Sequence, residues 1–337
     1  MDWGQTNFSS LVNWSDRTRF SDNNYQGCST CPNAKNIAYE YMIRLSNETK
    51  KHMWLNVPHG ASDDFIRSLA QLVKNDLRPD LNLYLEYSNE TWNYTFSNNN
   101  IQSQGNGQLD YVQRRAVELG LPGSNDDYRG QSYYVYRALQ VFRIFEEAFG
   151  SSSSRLRRVL AYSGNEDVAL RSLDVVDSSV WNPAAIQPDI FAVAPYVGNN
   201  ATVTTESASE EFRKQVDLSV GDSNGYVRKF KRVVDDYNLR HSRNELSFST
   251  YEAGQHFVMG NGSQKAFNDN PWAFDDYMYM LNAMKPYFGT FMQFVHVAKC
   301  DENDCWGAKA HYGQVAYMAP KSRAVNDFQM DNACVAR

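Results

Sequence analysis

The chain has no apolar run near the roughly 20 residues that cross a bilayer, so no membrane partner is expected. Its opening, MDWGQTNFSS, has neither a basic n-region nor an apolar h-region, and no signal peptide is visible. Basic residues do not dominate. Lys and Arg number 33 against 39 Asp and Glu, a net charge of −6, which argues against nucleic acid held through phosphate contacts. Cysteines are few: Cys28 with Cys31, Cys300 with Cys305, and Cys334. No second CxxC or histidine cluster completes a zinc set, so the close pairs predict local loop disulfides and no metal. No Gly-rich phosphate turn follows a strand, since GNGQ (105–108) follows none, and no dinucleotide cofactor is expected. Fixed-period repeats, clear linkers and low-complexity tracts are also missing. The 337 residues are read as a single domain, 1–337.

What is present reads as globular. The hydrophobic fraction is 42% and the charged fraction 21%. Aromatics are plentiful, with 21 Tyr, 18 Phe and 7 Trp. Many suit a large core, and Tyr and Trp in loops suit sugar rings, whose C–H faces pack on aromatic planes. Seven N-x-S/T sequons begin at Asn7, Asn13, Asn47, Asn89, Asn93, Asn200 and Asn261. Together with the cysteine pairs they point to a secreted protein whose signal lies outside this chain.

Short apolar runs alternate with longer helical patterns. Strands are expected at 52–58, 81–90, 158–165, 189–197, 246–254 and 290–297, with MDWG as the tail of one more. Helices are expected at 62–77, 107–119, 128–149, 166–179, 208–238 and 273–285. Ser62 reads as an N-cap with Asp63 and Asp64 in the first turn, a helix start and not a metal set. SSSS (151–154) reads as a turn before a strand. Strands apolar on both faces and separated by helices indicate parallel βαβ units. Most end on polar or aromatic residues: Asn56 and His59, Asn89 and Glu90, Asn165, Tyr196, Glu252, His296. Chemistry at C-terminal strand ends is the habit of parallel α/β folds. The expected fold class is therefore α/β, a (β/α)₈ TIM barrel, in which strand 1 is either hidden or missing; a chain truncated at its N-terminus is the expectation favoured.

Two strand ends carry the chemistry. LNLYLEYSNE (81–90) runs into Asn89 and Glu90, and LSFSTYEAG (246–254) into Glu252. Strand alternation predicts Glu86, Ser88 and Glu90 on one face, and Phe248, Thr250 and Glu252 on one face. Strand ends of a barrel converge on one cleft. Two carboxyls flanking one bond are what glycoside hydrolysis needs, one as acid and one meeting the cationic sugar carbon. Glu86, deeper in its strand, is read as part of a structural hydrogen-bond network.

YSNETWN (87–93) and TYEAG (250–254) resemble the strand-4 and strand-7 signatures of clan A glycoside hydrolases, retaining enzymes on a (β/α)₈ barrel. MDW…TN, WLNVPHGASDD and YLEYSNETWN are similar to a bacterial group of such barrels often labelled cellulose-binding. The resemblance extends from Met1 to about Lys321. It implies that Glu90 is the general acid/base, Glu252 the nucleophile and Asn89 the amide that binds the hydroxyl beside the reacting carbon. It also implies that His59 is a cleft histidine and Tyr196 the donor that keeps the nucleophile ionised. Trp306 is a looser match to a sugar platform. Asn56, His256, Trp92 and His296 are further candidates for contact with substrate. The expected activity is retaining cleavage of β-linked poly- or oligosaccharide without a cofactor. The alternative is a carbohydrate-binding protein that keeps the barrel without turnover. Sugar identity, linkage and oligomeric state leave no signal in the sequence.

Overall fold

The computed structural model describes residues 6–22, 37–100, 105–198, 201–241 and 246–332. MDWG, Cys28, Cys31, Cys334 and Asn200 lie outside them. The described residues form an α/β fold with five strands hydrogen-bonded in the order β1-β2-β3-β4-β5. Contacts divide the chain into two compact units, 1–191 with 237–246, and 192–236 with 247–337.

The first unit begins with α1 (Tyr39–Thr49), β1 (Met53–Val57), α2 (Asp63–Asp76) and β2 (Leu83–Tyr87). It continues with α3 (Gln108–Leu119), α4 (Asp126–Phe149), β3 (Leu156–Ala161) and α5 (Glu166–Asp177). β1 pairs with β2 in parallel, placing Asn56 beside Glu86 and Val57 beside Tyr87. β2 pairs with β3 in parallel, placing Leu83 beside Leu156. The ends of β1 and β2 are buried on both faces, as parallel strands covered by helices require.

α2 starts where its sequence says it should, since the Ser62 hydroxyl accepts from the Phe65 amide at 3.2 Å. Its stripe of Phe65, Ile66, Leu69, Ala70 and Val73 is buried, and each large apolar side chain contributes about 1.5–3 kcal/mol. α4 is the central helix of this unit and packs on α2, α3 and α5. Asn165, expected as a strand-end polar residue, instead caps α5 by accepting the Asp167 amide at 2.8 Å.

β4 (Ile190–Val193) runs from the first unit into the second. There follow α6 (Ala208–Gly221), α7 (Tyr226–Arg240), β5 (Ser247–Thr250), α8 (Ser263–Asp269), α9 (Ala273–Met284) and α10 (Pro320–Asn332). The core of the second unit is aromatic. The Phe212 ring lies 4.6 Å from Phe267 and 5.9 Å from Tyr277, centre to centre.

The expected helix over 208–238 is two helices, because Asp222 closes a turn by accepting the amides of Asn224 and Gly225. A side chain at Gly225 would collide with the Leu218 carbonyl oxygen. The expected strand at 290–297 is also not formed. The segment does run along β5 and the residues after it, with the Thr250 amide donating to Thr290 and the Phe294 amide to Ala253. At Met292 the amide is taken by the Thr250 side-chain oxygen at 2.6 Å, which interrupts the ladder. Five strands therefore stand, among the described residues, where six were expected; the seventh, ending in MDWG, lies outside them.

Candidate functional site

β2 stops at Tyr87 because Ser88 and Glu90 both take left-handed backbone angles, φ 57° and 52°. Such a conformation costs a non-glycine residue on the order of 1–2 kcal/mol. The pleat therefore ends before Glu90, and the expected alternation through Glu86, Ser88 and Glu90 gives way to a turn.

Amides hold that turn. Gln108, fully buried at the start of α3, accepts from the Ser88 hydroxyl at 2.5 Å and donates to the Asn89 carbonyl. Its amide also donates to the Asn7 side-chain oxygen at 3.2 Å, and the Asn89 amide donates to the same oxygen at 3.3 Å. Asn7 is thus a buried acceptor, although the sequence shows it only as a sequon. Asn89 is itself buried. Glu90 is half-buried, and its carboxylate accepts from the Asn93 amide at 2.8 Å.

Beneath the turn, Glu86 is fully buried and one of its oxygens accepts from Trp54 Nε1 at 2.8 Å and Asn56 Nδ2 at 2.9 Å. Asn56 also donates to the Ser88 carbonyl at 2.5 Å, so its amide ties the network to the turn. Burial and then the Glu86 charge push the Tyr134 phenol well above its ordinary value. Trp92 packs against Tyr162 and Tyr134, at centroid distances of 5.0 and 6.0 Å.

His59 is buried, and its Nδ1 lies 3.0 Å from the Thr6 carbonyl oxygen. A carbonyl only accepts, so Nδ1 carries the proton and Nε2 is left with a lone pair. Burial pulls the imidazole down to about 4, with the Thr6 bond opposing. A cavity of about 630 Å³ opens beside His59, lined also by Ser9, Asn98, Asp110, Tyr111 and Arg114. Glu90, Asn89 and Asn56 do not line it.

In the second unit β5 ends at Thr250, and Glu252 follows at 9% exposure. The Tyr196 hydroxyl donates to its carboxylate at 2.7 Å. The turn beyond needs glycine, because Gly254 has φ 140° and a Cβ there would sit 2.6 Å from the Gln293 amide nitrogen.

His256 lies between two aromatic rings, 5.1 Å from Tyr196 and stacked at 5.6 Å on Trp306. Trp306 Nε1 donates to His256 Nδ1 at 3.2 Å. His256 therefore keeps its proton on Nε2, the opposite tautomer to His59, and burial lowers its pKa. Phe294 meets both Trp306 and Tyr196 in edge-to-face contacts. His296 is exposed, and its carbonyl accepts from the Lys309 amide at 3.0 Å. Cys300 and Cys305 form a disulfide just ahead of Trp306. Glu252, Tyr196, His256 and Trp306 thus form one connected cluster. Glu90, Asn89, Asn56 and Trp92 gather at the end of β2, and His59 faces the cavity.

Among the described residues no group of three or more His, Cys, Asp or Glu side chains could hold a metal ion, and no helix is long and apolar enough to cross a membrane. No known protein family matches the chain, and no curated protein does. Two solved structures are similar to it. One is a monomeric β-xylosidase from Caulobacter crescentus CB15, with TM-score 0.41, 10% identity, and 77% of this chain covered. The other is a β-glucosidase from Exiguobacterium marinum, with TM-score 0.41, 9% identity, and 80% of this chain covered. The matches span 45% of the xylosidase chain and 70% of the glucosidase chain.

Proposed function

We propose that the chain is a retaining glycoside hydrolase acting on a β-linked poly- or oligosaccharide, built as a single (β/α)₈-barrel domain. Glu252 attacks the anomeric carbon while Glu90 protonates the departing oxygen. The bond to the leaving group breaks and a glycosyl ester forms on Glu252. Glu90, now ionised, takes a proton from water, whose oxygen displaces the ester. Asn89 binds the hydroxyl beside the reacting carbon, and Trp306, His59 and the other polar and aromatic candidates contact the remaining rings. No cofactor enters.

The observation that supports this reading most is the phenol on Glu252. A hydrogen bond donated to a carboxylate favours its ionised form, which a nucleophile at 9% exposure needs. The reading requires the two carboxyl groups about 5–5.5 Å apart, the separation of retaining enzymes. The Cys300–Cys305 disulfide supports secretion.

Mechanism-based fluorosugars of several stereochemistries test the proposal. One of them should esterify Glu252, found by mapping the modified peptide, and the others should not. A panel in which none labels the protein and no β-glycan releases reducing sugar would overturn it. The second reading, a carbohydrate-binding protein without turnover, is favoured by the 630 Å³ cavity, which includes His59 but neither Glu90 nor Asn89. Binding of a glycan without release, by wild type and Glu252→Gln alike, would establish it.

A further inference from the structure

We infer that Lys321 is a positioning residue for the Glu252 end of the site, acting through Trp306 and His256. The inference rests on the reading of Glu252 as the nucleophile. Lys321 stands in the first turn of α10 at 1% exposure. Lysine is rarely buried so completely without a counter-charge. Here its amine donates to two neutral acceptors, the carbonyls of Cys305 at 2.9 Å and Trp306 at 3.0 Å. Burial brings its pKa down to about 7. The neutral amine still has two N–H bonds, enough for both carbonyls, so the clamp does not depend on its charge.

Those carbonyls belong to a segment fixed from several sides. The Cys305 oxygen also accepts from Gln255 Nε2 at 2.9 Å and Asn268 Nδ2 at 3.0 Å, and the Cys305 amide donates to Gln264 at 2.6 Å. Gln255 precedes His256, while Gln264 and Asn268 lie on α8. The disulfide closes the turn ahead of Trp306, and Asp301 accepts the Asn303 and Asp304 amides within it. Lys321 reaches the carbonyl of Trp306 itself.

From there the path is short. The indole N–H sets the His256 tautomer, the imidazole lies beside the Tyr196 ring, and the Tyr196 hydroxyl donates to Glu252. An apolar side chain of similar length would leave the Trp306 carbonyl without this donor and let the indole move. A buried carbonyl stripped of its partner is costly enough to shift a loop.

The test is Lys321→Met, read by side-chain NMR of ¹⁵N-histidine-labelled protein, in which six histidines give a tractable spectrum. In the wild type His256 should show a single tautomer protonated on Nε2. In the variant that signal should move toward a tautomer mixture, the acid limb of kcat/KM should rise in pH, and Lys321→Arg should restore both at least in part. A folded Lys321→Met with an unchanged His256 signal overturns the inference whatever its activity. If the variant does not fold, Lys321→Gln, which keeps a donor for one carbonyl, should show the same shift at smaller amplitude, and no shift there overturns it. A His256 response in a protein without hydrolase activity would uphold the positioning and reject the proposed reaction.

Discussion

Glu90 and Glu252 both follow buried strands, yet the chain holds them differently. Glu90 sits on a left-handed turn, half-buried, and the amide it accepts comes from Asn93, three residues away. Glu252 is buried more deeply and takes a phenol from Tyr196, 56 positions earlier in the chain. The Asn93 donor belongs to the same turn as Glu90, whereas the Tyr196 donor is brought to Glu252 by packing of a distant segment. Under the proposed function the half-buried turn carries the acid/base at position 90 and the deeper, packed position carries the nucleophile at 252.

Paired substitutions test that contrast most sharply. Glu252→Gln should lower kcat by on the order of 10⁴-fold or more on every substrate, because nothing else can form the ester. Glu90→Gln should lower it roughly 10²–10⁴-fold on substrates with poor leaving groups. With an activated aryl leaving group, which needs no proton, the first step should stay near the wild-type rate. Values of kcat/KM and the pre-steady-state aryl burst with the two leaving-group types check both, and equal losses for the two variants on both would erase the distinction.

The histidines extend the comparison to pH. His59 is buried as the neutral ring, with its pKa at about 4 against an ordinary 6.5. The unfolded chain then binds the extra proton between those values. Stability contributed by the neutral ring is full above pH 6.5 and is lost as pH falls toward 4, by roughly 3 kcal/mol. Denaturant unfolding at pH 6.5 and 4 should show this loss in wild type and a smaller one in His59→Gln. A gentler change is Tyr196→Phe. Losing a hydrogen bond to a charged group costs about 1.5–3 kcal/mol, so kcat/KM should fall about 10- to 150-fold. Its acid limb should move upward, since the carboxylate loses the donor that favours ionisation. An unchanged limb would mean that Tyr196 serves only packing.

The parts legible in the sequence are those that local pattern specifies. Apolar runs ending on Glu90 and Glu252 marked both strand ends, and Ser62 marked the start of α2. The turn that ends β2 was not legible, because nothing in SNE announces left-handed angles at Ser88 and Glu90. Nor were Gln108 and Asn7, whose roles arise only when segments about a hundred residues apart come together. Lys321 was hidden for the same reason, as a lysine after a proline reads as surface. The missing strand at 290–297 shows the limit of hydropathy. The apolar run was real, but the Thr250 hydroxyl competed for a backbone donor that a ladder would have used.

Gly254 has a practical consequence for engineering. With φ 140° and the Gln293 side-chain amide where a methyl group would sit, any other residue at this position, two places beyond Glu252, is strained. A library that randomises the loop after β5 should therefore recover glycine at that site. Diversity meant to alter preference belongs instead at neighbours such as Val258 and Met259, which retain solvent access.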